Sequence, residues 1–475
     1  MNVPCRAVAA CVALAACVAL ACSLPPVAAA QQLSASHPAA GEEKTPNIRL
    51  VAHVPLGRAL QSGGVELDQD VARPFAFVSR VYYPPAGFDI ISLKDPQKAD
   101  VMWSWSIASP ATHRGMGAAR GRLFRTHGRT YYVQSFQFAR GTPDDDVGAI
   151  VFDVTSLPDT TQVKEVARIR APDAPGGFHS IFVYKHSDGR PLLFATGSAK
   201  PYALVYDLDR AIAHDAAQGL VGTIVNPDRL SDSVSSSEGA FHDLWAGYDP
   251  AARRDRLYAA GQGGYYVFDI SAPERAKLIT SVTGVMGIFR GHTVAATPDG
   301  RYLVTGTDYQ YSPIRIFDLQ RGLEGKAQTI SQPAGAWAAD WRNLPHGAEV
   351  RWPYVFVASY EDGLQVFNML DPADPFTVAY YRTYDGPHQA GCCSKEWLAD
   401  PSMEPKGRGV INGAFGVQVR NADGLIVVSD MTTGLWAFYM DGFNGWSGRR
   451  WGMPDVSTAQ NWEKGPGSPP AALVP

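Results

Sequence analysis

The feature that most constrains this chain is a short strand pattern that recurs seven times. It runs aliphatic, then aromatic or aliphatic, then Asp or Asn (Ser in the first copy), often with Pro three or four residues on. It appears as IISLKDP at Ser92, IVFDVTSLP at Asp153, LVYDLDRA at Asp207 and YVFDISAP at Asp269. It continues as RIFDLQRG at Asp318, QVFNMLDP at Asn368 and, degraded, WAFYMDG at Tyr439. The interval is roughly 50–60 residues, at the long end of propeller repeats. The span Gly239 to Gly284 shows what one repeat contains. Phe241 to Tyr248, Leu257 to Gly261, Tyr265 to Ile270 and Lys277 to Thr283 read as four short strands, the first two parted by the polar turn DPAARRD. A four-stranded meander leaves both faces unburied and needs neighbours of its own kind, which repetition around an axis supplies. The chain is therefore expected to be all-β, a seven-bladed β-propeller.

The last repeat, Gly413 to Met440, supplies only three strands. The orphan strand IRLVAHVPL, Ile48 to Leu56, is expected to complete it, so that pairing of the two ends removes an exposed edge and closes the ring over residues 47–441. Blade 5 is expected to end on AQTIS, and blade 6 to begin on AWAADWRNL, from Ala336. The turns HSDG, TPDG and NADG are hairpin signals between first and second strands. His127 and His186 lie in or beside such turns and are expected at the solvent, while His53 on the orphan strand reads as structural. Three connections, Ser109 to Arg120, Asn226 to Ala240 and Asp385 to Asn412, are longer than strand linkage needs. The tail, residues 442–475, carries Trp446, Trp451 and Trp462 among Gly and Pro and is expected to cover the ring.

On those third strands the chain resembles the LVIVD-repeat proteins, mostly extracytoplasmic bacterial β-propellers, over about Asn47 to Met440. The resemblance implies a fold and an exported location. It implies no reaction, because propellers host lyases, oxidases and pure binding modules alike.

Export is also expected from the N-terminus. Residues 1–30 have one charge, Arg6, an Ala/Val/Leu run and a small-residue cleavage site at Ala28-Ala29-Ala30, the marks of a secretory signal peptide. Residues 31–46 read as a flexible tether. Leu14-Ala15-Ala16-Cys17 has lipobox character, which keeps a lipid-anchored product open beside a secreted or periplasmic one. No later apolar run is long enough to span a bilayer. Four of the six cysteines lie in the leader, leaving adjacent Cys392 and Cys393, which can pair only with each other or across chains in an oxidising compartment. A net charge of −4 excludes a nucleic-acid-binding field. The expected partner is a small-molecule ligand or another protein.

The strand order decides which residues meet. In a meander the start of the first strand and the end of the second share one face. Blade 3 opens with Phe178-His179, blade 4 with Phe241-His242-Asp243 and blade 5 with Gly291-His292-Thr293. Arg120 and Gly416 occupy the matching positions of blades 2 and 7, and blade 6 is expected to bring Trp337 and Asp340. Second strands end at Asp308, Glu361 and Asp430, with Tyr309 and Tyr311 close by, and the long loop with His388 reaches the same mouth. His179, His242 and His292 would hold a divalent transition metal of unspecified identity, since three imidazoles with an open position form a common catalytic centre. Asp243 is expected to fix their tautomers. A lone Gly-His at a blade start is more often structural, bonded to a turn Asp. Two functions follow: a binding module for a small ligand or partner, or a metal-dependent lyase or oxidase. In the second, Arg120 would bind an anionic substrate and Tyr309, Glu361 or Asp430 would move protons. Methanethiol oxidases and oligogalacturonate lyases are similar in general design, at the level of the fold alone. No Ser-His-Asp order, P-loop or haem-attachment motif is present.

Overall fold

The protein is described from a computed structural model that covers residues 43–57, 61–81, 85–171, 173, 175–197, 200–228, 240–309, 312–339, 344–386 and 412–474. The leader and its lipobox, most of the tether, Tyr311, Asp340, His388, Cys392 and Cys393 lie outside the described residues.

Seven four-stranded antiparallel sheets follow one another along the chain as the blades of a β-propeller. Blade 4 has strands Phe241–Asp249, Arg254–Gly261, Gly264–Asp269 and Lys277–Thr283, within a few residues of the expected bounds. Alternation and turn chemistry dictate it: the apolar residues of its middle strands are wholly buried, and the last strand turns a half-polar edge outward. First strands of successive blades touch one another and so form the innermost ring. Ile48–Val54 pairs antiparallel with Gly434–Met440, from Ile48 opposite Met440 to Val54 opposite Leu435, so the N-terminal strand completes blade 7. His53 is structural there: it stacks on Trp436 at 3.7 Å and bonds the Thr433 carbonyl. Residues 43–45, assigned to the tether, hydrogen-bond to the outer strand of blade 6 and the residues after it.

The core lies between blades. Phe77 and Phe88 of blade 1 pack on Tyr132 and Phe152 of blade 2, with ring centroids 4.6–4.9 Å apart. Buried tyrosines also carry their hydroxyls to the next blade: Tyr184 to Asp255, Tyr258 to the Gly300 carbonyl and Tyr265 to the Gly306 carbonyl. Each such ring buries large apolar area and satisfies its polar tip, so consecutive blades are fixed in register. The tail crosses the face opposite the histidines: Trp446 donates to the Trp352 carbonyl, Trp462 to the His186 carbonyl, and Val474 N–H to Gly128.

Two expectations need correction. The outer strand of blade 5 is Gly335–Trp337, paired with Ile314–Ile316, and blade 6 begins at Gly347–Arg351. Trp337 therefore lies far out in its blade, stacked on Phe367 and bonded to Thr377, and does not reach the mouth. The aromatic run AWAADWRNL resembled an inner strand more than the short, polar GAEVR that fills that place. His186, expected at the solvent, is buried, with the Ile270 carbonyl, Asp188 and Asp255 around its ring. His127 is exposed as expected.

Candidate functional site

At one end of the innermost ring, blades 3 to 6 each contribute a histidine at or just before the start of the first strand: His179, His242, His292 and His346. His346 was hidden by the misplaced blade boundary. The Nε2 atoms of His179 and His242 are 2.8 Å apart. His242 stacks on His292 with centroids 3.7 Å apart, and His292 meets His346 edge-on at 5.1 Å. The imidazoles thus form one continuous arc.

The hydrogen bonds around the arc fix the tautomers. His242 Nδ1 is 3.1 Å from the His292 carbonyl and His346 Nδ1 is 2.6 Å from the Phe415 carbonyl, and a carbonyl can only accept. Thr293 donates its hydroxyl proton to the His346 carbonyl, so toward His292 Nδ1, at 3.0 Å, it presents lone pairs. His179 Nδ1 is 2.9 Å from Gln137 Oε1. The Nδ1 atoms of His242, His292 and His346 therefore carry the proton and their Nε2 atoms do not, and His179 follows the same pattern when the Gln137 amide presents its oxygen. Burial holds His242 and His292 well below the ordinary imidazole range, assisted by the neighbouring rings and by Arg120 and Arg290. His346 is pushed down to about 3 by burial and by Arg120. His242, His292 and His346 are therefore neutral at pH 7, the form that ligates metals.

The four Nε2 atoms do not all converge on one point. His292 Nε2 faces Asp308, 3.4 Å away at the end of the second strand of its own blade. Among the described residues no three His, Cys, Asp or Glu side chains stand at metal-ligand spacing. Two nitrogens each about 2.1 Å from a tetrahedral ion stand about 3.4 Å apart. His179 and His242 are about 0.6 Å closer than that.

Asp243 does not touch the imidazoles through its hydrogen bonds, contrary to its expected role. It accepts from Arg120 Nη1 at 2.9 Å, Ser180 Oγ at 3.2 Å and Val294 N–H at 3.3 Å, tying blades 2 to 5 together. Arg120, held below its ordinary value by burial, is thus committed to a carboxylate. Asp430 is wholly buried, and its oxygens accept from Thr383 Oγ1 and from the Thr432 and Thr433 N–H groups, an internal turn cap. Burial raises its carboxyl. Glu361 is fully buried in the turn after the second strand of blade 6. Tyr309 is exposed on the rim beside Asp308. Sequence reasoning also missed Tyr360, whose ring lies 5.1 Å from His346 and whose backbone adopts φ +34°. Comparison with known proteins adds no relative: no protein-family model matches the chain, and no curated protein matches it.

Proposed function

We propose that the protein is an exported β-propeller binding module whose mouth holds a divalent transition metal on His179, His242 and His292, with His346 as a fourth imidazole. The observation that carries this is the outward donation of the Nδ1 protons of His242, His292 and His346, together with the short approach of His179 to His242. With Gln137 Oε1 accepting from His179 Nδ1, the His179 and His242 rings face each other through unprotonated Nε2 atoms 2.8 Å apart, a contact that is repulsive unless a cation lies between them. Acceptors that fix the far nitrogen are the usual surroundings of a ligating histidine. A parting of the rings by about 0.6 Å would admit an ion. When bound, the metal would supply Lewis acidity or ligand affinity at the mouth. The protein's own contribution is to hold neutral imidazoles in an arc and to keep Asp308 beside His292.

A binding role is favoured over lyase or oxidase chemistry by the commitments of the acid–base candidates. Arg120 is paired with Asp243 and Asp430 is capped, so neither is poised toward a ligand at the mouth. Export and kinship with LVIVD-repeat propellers belong to the same proposal, supported by residues 1–30 and by the third-strand pattern.

With the Gln137 amide reversed, His179 Nε2 would donate to His242 and no ion would be needed. Metal analysis separates the two. Protein purified from the periplasm should carry close to one equivalent of a transition metal, and the His179→Ala/His242→Ala/His292→Ala variant none. Equal metal content in the two proteins would remove the centre.

A further inference from the structure

At the end of the ring opposite the histidines lies a second site, a cavity of about 500 Å³ roofed by the tail. That volume falls within the range of small-molecule sites, about 300–1,000 Å³. Its floor is made by the ends of the first strands of blades 1 to 3, and its roof by residues 446–461.

Most of the charges around it are answered by one another, while Asp455 accepts from the Gly448 N–H. Arg122 Nη1 is 2.9 Å from Glu66, and Arg125 Nη2 lies 3.3 and 3.2 Å from Asp68 and Asp70. Lys185 donates to the Arg125 carbonyl and lies 3.8 Å from Glu463, outside the cavity. An ionic ligand at Glu66, Asp68 or Arg125 would have to displace one of these partners.

Five polar atoms are not answered, four on neutral side chains and one on the Arg122 guanidinium. On the roof, Ser457 Oγ, Thr458 Oγ1 and Gln460 Oε1 are buried without a hydrogen-bond partner, as are Thr130 Oγ1 and Arg122 Nε on the floor. Buried polar atoms in folded proteins are nearly always paired, and five around one cavity is a concentration that calls for a partner within it. Hydroxyls both give and accept, the amide oxygen accepts, and the guanidinium N–H donates. A ligand that satisfies all of them must itself carry several groups that do both. Trp446, Phe124 and Val183 add apolar surface beside these polar atoms.

We propose that this cavity binds a neutral, polyhydroxylated ligand of one or two sugar rings, clasped between the propeller floor and the C-terminal strap. The ligand's hydroxyls meet the unpaired side chains, and its C–H faces lie against the aromatic lining. The site is independent of the metal centre at the other mouth.

Calorimetric titration of the full chain with glucose, maltose and N-acetylglucosamine tests this, with glucuronate and glucosamine as charged counterparts. At least one neutral saccharide should bind with a submillimolar Kd, roughly tenfold or more tighter than its charged counterpart. Thr458→Ala/Gln460→Ala should weaken that binding by roughly tenfold, the loss expected for one or two hydrogen bonds. Both side chains lie on the strap outside the blades, and an unchanged thermal midpoint would show that the ring is intact. Thr130→Val, on the floor, supplies a second variant should the first lose its fold. Absence of binding by all three neutral sugars overturns the proposal. So does equal affinity for a charged counterpart, or binding that survives in a folded variant.

Discussion

Asp243 is the side chain whose removal should cost the ring most. It accepts from Arg120, Ser180 and Val294, groups supplied by three other blades, and its side chain is only 5% exposed. Asp243→Ala leaves a guanidinium with no carboxylate in a buried setting. Breaking one side of a buried ion pair costs about 3–5 kcal/mol. Arg120 keeps 16% of its side chain exposed, which lets water recover part of that loss and places the expectation near the low end, about 3 kcal/mol. Two further variants isolate the cause. Asp243→Asn keeps the shape and two of the acceptor contacts, and should cost about 1–2 kcal/mol. Arg120→Met/Asp243→Leu removes both charges and should recover most of the single-variant loss, because replacing a buried pair by apolar groups is often neutral. Urea unfolding followed by tryptophan fluorescence gives all three values. A cost below about 1 kcal/mol for Asp243→Ala, or a double variant as unstable as the single, would refute the claim that an uncompensated charge is the cause.

Removing residues 43–54 should expose the edge of Gly434–Met440 and raise the share of aggregates or strand-swapped dimers above that of the intact chain, measured by light scattering. Gly413 has φ +98°, and a Cβ there would overlap the Tyr360 carbonyl, so Gly413→Ala should cost roughly 2 kcal/mol or more in the same urea assay. The His186–Asp188 pair should give stability a pH window. Burial works against the His186 charge, but Asp188 and Asp255 outweigh it and raise its pKa. Its contribution is therefore full below the unfolded histidine value and fades as pH rises through the raised one. Asp188 is lowered, against burial, by His186 and Arg190, so its contribution is lost on the acid side as pH falls through the lowered value. Comparing the pH dependence of the unfolding midpoint in wild type and His186→Gln checks both slopes, and parallel curves would refute them.

The fold was legible because the information that specifies a propeller is local and repeated. In blade 4 the aromatic and β-branched run Tyr265 to Ile270, the alternation of Lys277 to Thr283 and the turn DPAARRD set strand bounds without reference to any other blade, and the structure differs from them by at most three residues. The closing strand was legible by subtraction, since three strands at one end and one at the other leave a single pairing that hides both edges. The blade 5–6 junction was not. Its outer strand is three residues long and its next inner strand, GAEVR, is mostly polar, so hydrophobic pattern pointed to the aromatic run between them. Counting back from the unambiguous second strand Tyr354–Ala358, as for the other blades, would have reached His346. His186 was misjudged because the ring environment that buries it, Asp255 and the Ile270 carbonyl, comes from the next blade. A turn motif carries no record of what a neighbouring blade sets on top of it.

The same distinction between within-blade and cross-blade contacts bears on what the histidine arc is for. His292 stays within its own blade, with Nδ1 on Thr293 Oγ1 and Nε2 facing Asp308 3.4 Å away. The other three reach outside: His179 to Gln137 of blade 2, His242 to a carbonyl at the head of blade 5, His346 to one in blade 7. Gln137 separates an ion from a simple proton between His179 and His242, because its amide can serve either tautomer and a carboxylate only one. Gln137→Glu offers acceptors alone, so it fixes the proton on Nδ1 and leaves Nε2 bare. With an ion at the mouth, that variant should retain its metal and its unfolding midpoint. If the two rings are joined by an ordinary hydrogen bond that needs the amide as donor, the variant should lose that bond and about 1–3 kcal/mol of stability. Metal content and urea midpoint measured on one purified variant decide between them.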